Sequence, residues 1–137
     1  MKKYGRDLYE NLYNDAKKSS RRRSHFNLHQ SYDEKVQRLV ISLVKGSFVE
    51  PHYHSLPHQW ESFFVLEGKI EVKIYTYEGE IISSCLIGDN QEFQFIEIQP
   101  EEIHSVKCIS EVATILEIKE GPFVPEKSKV MTDFVEP

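Results

Sequence analysis

At 137 residues with 39% hydrophobic side chains, the chain can bury a core of its own and is the size of one domain, so a single domain over 1–137 is expected. With 17 basic against 22 acidic side chains the formal charge is -5; that net field repels a phosphate backbone, which excludes a general nucleic-acid binder and favours a small-molecule partner. No apolar run is long enough to cross a membrane, the opening Met1-Lys2-Lys3-Tyr4-Gly5-Arg6-Asp7 leads into no apolar signal stretch, and Cys85 and Cys108 alone make no disulfide framework, so a cytoplasmic setting with no membrane partner is expected.

Tyr4, Leu8, Leu12, Tyr13 and Ala16 recur at helical spacing, which predicts an amphipathic helix over residues 1–18. Arg21, Arg22 and Arg23 follow, and from Arg23 the chain alternates. If this segment is extended, Arg23, His25, Asn27 and His29 share one face, and Ser24, Phe26 and Leu28 share the other. The polar face could line a site, since its hydrogen-bonding groups suit a sugar and arginine forks suit phosphate or carboxylate. It could equally be a solvated charge cluster beside a half-buried edge strand.

Residues 35–44, 61–66, 69–77, 80–87, 93–98, 104–109 and 113–119 are runs rich in Val, Ile, Phe and Tyr, and they predict strands. Turn residues separate them at Glu67-Gly68-Lys69, Glu78-Gly79-Glu80 and Gly88-Asp89-Asn90. Many short strands at roughly ten-residue spacing imply a sandwich or barrel over 21–119. Gly121-Pro122-Phe123-Val124-Pro125 ends the last of them, leaving 120–137 as a tail across the barrel surface.

His52-Tyr53-His54 is the most informative segment. Histidines two apart on a strand project to one face, so both imidazoles can share a divalent ion. With Glu61 and His104 downstream, the order resembles the two cupin motifs. Gly46-x5-His52-x-His54-x6-Glu61-x6-Gly68 is similar to the first, with a longer gap before the glutamate that falls in the loop Ser55-Leu56-Pro57-His58-Gln59-Trp60. Gln99-Pro100-Glu101-Glu102-Ile103-His104 keeps the histidine of the second motif, with Cys108 where asparagine is usual.

The whole chain resembles the WbuC-like cupin family, found among bacterial O-antigen and surface-polysaccharide genes. The segments that carry the likeness are Ser20-Arg21-Arg22-Arg23, His25-x-Asn27-Leu28-His29, Val36-Gln37-Arg38, Pro51-His52-x-His54, Gln59-Trp60-Glu61, Ile103-His104-Ser105 and Glu117-x-Lys119-x-Gly121-Pro122-Phe123. The resemblance implies an all-β cupin double-stranded β-helix, or jelly roll, with a short N-terminal α-helix. It also implies a metal site at His52, His54, Glu61 and His104 and a role in lipopolysaccharide sugar metabolism. A homodimer is expected by cupin analogy. Glu101 stands where the family often has glycine.

Imidazole and carboxylate ligands accept Fe, Zn, Mn or Ni alike, so the ion is divalent and otherwise open. Such an ion can act as a Lewis acid, and isomerisation or epimerisation of a sugar or nucleotide sugar is the expected chemistry. The general base would come from His25 or His29, with His58, Tyr53 and Tyr75 as weaker candidates. Arg21, Arg22, Arg23, His25, Asn27 and His29 are the expected ligand-binding residues. One alternative is a non-catalytic, metal-dependent sugar-binding or regulatory module; a second is a non-haem iron oxygenase. Cys108 falls on the face of His104, although a strand cysteine is most often a small buried hydrophobe.

Overall fold

The computed structural model describes residues 1–136. Helix α1 spans Arg6–Lys18 and buries Leu12, Tyr13 and Ala16 on one face, with Asp7 in its first turn and Lys17 and Lys18 in its last, as the helix dipole favours. The helix starts later than the spacing predicts because Gly5, a poor helix former, occupies the cap. Tyr4 therefore lies outside it and packs instead on Phe26, with ring centroids 6.2 Å apart.

The strands are β1 Arg23–Asn27, β2 Val36–Val44, β3 Phe48–Tyr53, β4 Glu61–Glu67, β5 Lys69–Tyr75, β6 Ile81–Gly88, β7 Phe95–Ile98, β8 Ile103–Cys108, β9 Val112–Glu120 and β10 Val130–Met131. They form two antiparallel sheets, in the orders β1-β2-β9-β4-β7 and β10-β3-β8-β5-β6. This is the jelly-roll arrangement expected from the sequence. The inner faces meet in a core that includes Leu43, Phe63, Ile70, Val72, Ile87, Val106 and Ile115. Alternation sets what each strand contributes: on β9, Ala113 and Ile115 enter the core, and two further steps of two place Glu117 and Lys119 on the same face.

The motif glycine Gly68 has a physical requirement. It turns β4 into β5 at φ +78, and a Cβ there would lie 2.2 Å from the Val112 carbonyl oxygen. Helix α1 is fastened to the outside of the first sheet through Tyr13, whose hydroxyl meets Glu67 and, at 2.5 Å, Thr114; Thr114 in turn meets Ser42 at 3.0 Å.

The tail is more structured than a surface wrap. After a short 3-10 turn at Pro125–Lys127, β10 pairs with β3 opposite Tyr53 and His52. Phe134 then packs on Tyr75, and Glu136 accepts hydrogen bonds from Tyr75 Oη at 2.9 Å and Lys73 Nζ at 2.6 Å. Pro137, the last residue of the expected tail, lies outside the described residues. Among the described residues no helix is long and apolar enough to cross a membrane.

Candidate metal centre

The second sheet supplies the histidines. His52 near the end of β3 is in register with His104 on β8, and the chain leaves β3 so that His54 follows on the same side. The first sheet supplies Glu61 at the start of β4, in register with Lys119 of β9, while Phe63 stands opposite Glu117. One ligand atom from each of His52, His54 and His104 lies within 4.8 Å of the others. Glu61 Oε2 stands 3.1 Å from His54 Nε2 and 3.3 Å from His104 Nε2.

Backbone carbonyls fix the imidazole tautomers. His52 Nδ1 meets the Glu50 oxygen at 2.8 Å, His54 Nδ1 the Ser128 oxygen at 2.6 Å, and His104 Nδ1 the Glu102 oxygen at 2.9 Å. Each Nδ1–H donates to a carbonyl, which leaves Nε2 of a neutral ring with a bare lone pair. His54 Nε2, His104 Nε2 and Glu61 Oε2 are buried and find no hydrogen-bond donor. Their approach at 3.1 and 3.3 Å is therefore acceptor against acceptor, unless a ring takes a second proton. Buried acceptors without a partner are costly, and a cation among them removes the cost. The buried His52, His54 and His104 cluster thus has the donor chemistry of a site for a divalent metal ion.

Burial and neighbouring charge shift these groups in different directions. Burial, and then His104, pushes His52 down to about 3. Burial also opposes charge on His54, but the Glu61 carboxylate outweighs it and the net direction is upward. Burial would raise Glu61; the His104 and His54 rings beside it, when they carry a second proton, overcome this and hold the carboxyl well below its usual range.

Above the cluster lies a cavity of about 460 Å³ with an apolar wall that includes Ile41, Leu43, Phe63, Val106 and Ile115. Glu117 and Lys119 line it as well, with Lys119 Nζ 3.5 Å from Glu117 Oε2 and 4.8 Å from the centroid of Phe123. Burial, and then the charge of Glu61, pushes Glu117 up to about 7. Lys119 is raised, because Glu117 and Glu61 outweigh its burial. Neither residue was singled out by its chemistry in the sequence. The available signal was the period-two run Ala113, Ile115, Glu117, Lys119, which carries two charges onto a core-facing stripe. Lys129, on the tail, also lines the cavity and had no local signal.

The polar stripe after the helix divides. Arg21, Arg23 and His25 line the metal cavity. Asn27 and His29 do not; with His25, Tyr32, Gln37 and Phe123 they line an adjoining hollow of about 200 Å³. His29 Nδ1 is engaged with the Arg38 backbone, 2.9 Å from its oxygen and 3.1 Å from its nitrogen. Arg22 is turned away at φ 58 and donates to the Lys45 oxygen at 3.2 Å and the Lys17 oxygen at 3.5 Å, bracing the helix end against the β2–β3 turn. His25 is pushed down by burial and then by Arg21.

The weaker base candidates sit elsewhere. Tyr53 faces Tyr77, with ring centroids 6.1 Å apart, and the Tyr75 hydroxyl meets Ser105 Oγ at 2.7 Å. His58 lies in the turn between β3 and β4 and does not line the cavity. Cys108 is part of the apolar core, its thiol pushed up to about 11 by burial, and behaves as a small hydrophobe.

A family model described as a domain of unknown function (DUF6016) matches residues 4–87. No curated protein matches the chain by sequence. Among solved structures, the chain is similar to CapF bound to the inhibitor 3-isopropenyl-tropolone, with a TM-score of 0.66 and 19% identity over 85% of this chain and 33% of that one. It is similar to oxalate oxidase in complex with the substrate analogue glycolate, with a TM-score of 0.62 and 14% identity over 82% of this chain and 56% of that one. A cupin superfamily protein from Desulfitobacterium hafniense superposes with a TM-score of 0.56 and 14% identity over 72% of this chain and 76% of that one. At these identities the likeness establishes the cupin fold alone, and the chain spans a third of CapF and little more than half of oxalate oxidase.

Proposed function

This chain belongs to the DUF6016 family, and we propose that it is a metal-dependent cupin in which His52, His54, Glu61 and His104 hold one divalent ion beneath a cavity for a sugar or nucleotide sugar. The observation that carries the reading is the convergence of bare, buried acceptor atoms from both sheets. When bound, such an ion polarises a carbonyl or hydroxyl oxygen. The protein's own part is proton transfer and positioning. Glu117, pushed up to about 7, can take a proton from the carbon beside a carbonyl and return it to the neighbouring carbon or the opposite face. Lys119 holds Glu117 in place, and His25 stands at the mouth as a second proton carrier.

The resemblance to WbuC-like cupins supports a setting in bacterial surface-polysaccharide metabolism, in the cytoplasm and as a homodimer. A binding module without turnover would use the same metal and cavity and would differ only in leaving Glu117 idle.

The test is metal analysis of the purified protein, followed by product detection with a panel of nucleotide sugars on wild type and Glu117→Gln. About one ion per chain, with product from wild type and none from Glu117→Gln, is expected. Tight ligand binding without product from any sugar would support the binding module, and wild-type metal content in His104→Ala would overturn the site itself.

A further inference from the structure

Three cations stand together at the mouth of the cavity, although the chain as a whole carries a charge of -5. Arg21 and Arg23 come from the segment that enters β1, and Lys129 comes from the far end of the chain, one residue before β10. All three line the metal cavity, and all three line a second, outward hollow of about 650 Å³ that also touches Ser20, Phe48 and Glu50. They form the partition between the two spaces.

Among the described residues none of the three has a carboxylate within salt-bridge distance, in contrast to Lys119 deeper in the cavity, which has Glu117 at 3.5 Å. The Arg23 guanidinium makes only long contacts, with the Arg21 oxygen at 3.4 Å and the Phe48 oxygen at 3.5 Å. Lys129 is pushed down by burial and then by Arg21 and Arg23, with only Glu50 and Glu61 acting against them. Three like charges gathered at the opening of a cavity, outnumbering the one carboxylate of the outward hollow, Glu50, which is not within pairing distance, are settled by an anion.

We infer that Arg21 and Arg23 from one side and Lys129 from the other form a clamp for an oxyanion, the phosphate or carboxylate of a ligand whose polar body extends toward His52, His54 and His104. The inference rests on the proposed ligand cavity and assigns the chemical class of that ligand. It also makes the tail a working part of the site. Beside Lys129, the Ser128 carbonyl accepts the His54 Nδ1–H at 2.6 Å, and the Lys127 carbonyl accepts a hydrogen bond from Gln59 at 2.7 Å. One strap therefore carries both an arm of the clamp and a support of the cluster. An arginine fork can grip two oxygens of the anion while the ammonium closes over the third as a point charge.

The test is calorimetric titration of the full chain, as purified and again after chelation of metal, with pyrophosphate, glucuronate and glucose as probes. Binding of an anionic probe that survives chelation is expected, because the clamp holds its anion without the ion; this separates failure of the clamp from failure of the metal reading. Arg23→Ala and Lys129→Ala should each weaken that binding about tenfold or more, the usual scale for a charge-assisted contact. Lys129→Arg should retain most of it, and Lys127→Ala, two residues away with its side chain exposed, should leave it unchanged. Circular dichroism confirms that each variant is folded. Preference for pyrophosphate assigns a phosphate and preference for glucuronate a carboxylate. Neither anion binding, or the two Ala variants binding as well as wild type, overturns the clamp.

Discussion

The floor and the rim of the cavity are built on different principles. On the floor, His52, His104, Glu61 and Glu117 are carried by central strands, buried, and held by ladder register, with His54 directly after β3. On the rim, Arg21, Arg23, His25 and Lys129 sit on the segments that enter and leave the barrel. The floor gathers acceptors, and the rim gathers donors. Strand register can hold Glu61 and His104 together at 3.3 Å because the whole sheet would have to shift to release them. Terminal segments hold their charges less firmly, which suits groups that must admit and release a ligand.

The sharpest way to break this division is to remove a floor ligand. His104→Ala should lower metal affinity by more than about 100-fold, beyond the 10–100-fold typical of supporting residues, as read by competition with a chelator. A volume-conserving His104→Leu adds a second readout. In metal-free protein it should be neutral or stabilising to denaturant, because it deletes a buried acceptor that has no partner. In the presence of metal it should be destabilising relative to wild type. A loss of stability in both states would mean that the cluster is a structural polar core.

Acid should separate floor from rim next. Folding depresses His52 to about 3 from 6.5, so between those values the unfolded chain binds the extra proton, and stability rises with pH across that window. Glu61, held low, contributes stability above about 4.5 that is lost as pH falls through its folded value. His54 runs the other way: it is raised, and its contribution is present below 6.5 and fades as pH climbs through its folded value. The His52 shift is the larger of the histidine pair. Glu117, pushed up to about 7 from 4.5, gains stability on acidification through the same range and offsets His52, so the effect is read as a difference. Between pH 6.5 and 4, metal-free wild type should lose on the order of 2 kcal/mol relative to His52→Gln, measured by urea unfolding.

What could be read from the sequence follows the same division. The floor histidines and the strands that bear them were legible because His52 and His54 obey a local period of two, and because turns such as Glu67-Gly68-Lys69 mark strand ends in a few residues. The rim was half legible. Strict alternation put Arg23, His25, Asn27 and His29 on one face; Arg23 and His25 line the cavity, whereas Asn27, at the end of β1, and His29 beyond it line the adjoining hollow. Arg22 sits at positive φ, which pattern alone does not reveal, and its side chain turns out to backbone carbonyls. Lys129 and the Ser128 carbonyl were beyond reach, since a pairing across most of the chain and a backbone atom leave no side-chain pattern. The helix start moved to Arg6 because one glycine outweighed a matching tyrosine.

The tail links the two regions, and cutting it measures the link. Truncation after Pro125 removes Lys129 together with the Ser128 carbonyl that fixes the His54 ring. Metal affinity should fall roughly tenfold, as for loss of an outer hydrogen-bond partner, and pyrophosphate binding should fall further. Ser128→Ala, which keeps the carbonyl, should preserve both. An unchanged metal affinity in the truncated protein would mean that His54 is oriented by the strand end alone.

The smallest expected effect comes from Glu101, in the turn that leads into β8 and so to His104. It sits at φ 70, in the left-handed region that side chains disfavour, and its N–H donates to the His54 oxygen at 2.8 Å. Left-handed backbone costs a non-glycine residue about 1–2 kcal/mol, and the added freedom of an unfolded glycine returns about 0.5–1 of that. Glu101→Gly should therefore stabilise the protein by about 0.5–1 kcal/mol, seen as a higher urea midpoint at unchanged slope. Because the backbone hydrogen bond to His54 does not depend on the side chain, metal affinity should stay within about twofold, a free-energy change well under 1 kcal/mol. A gain in stability without a change in affinity would show that this turn sets the cost of the fold and the strands set the site. A parallel fall in affinity would instead make the Glu101 side chain part of the metal centre's support.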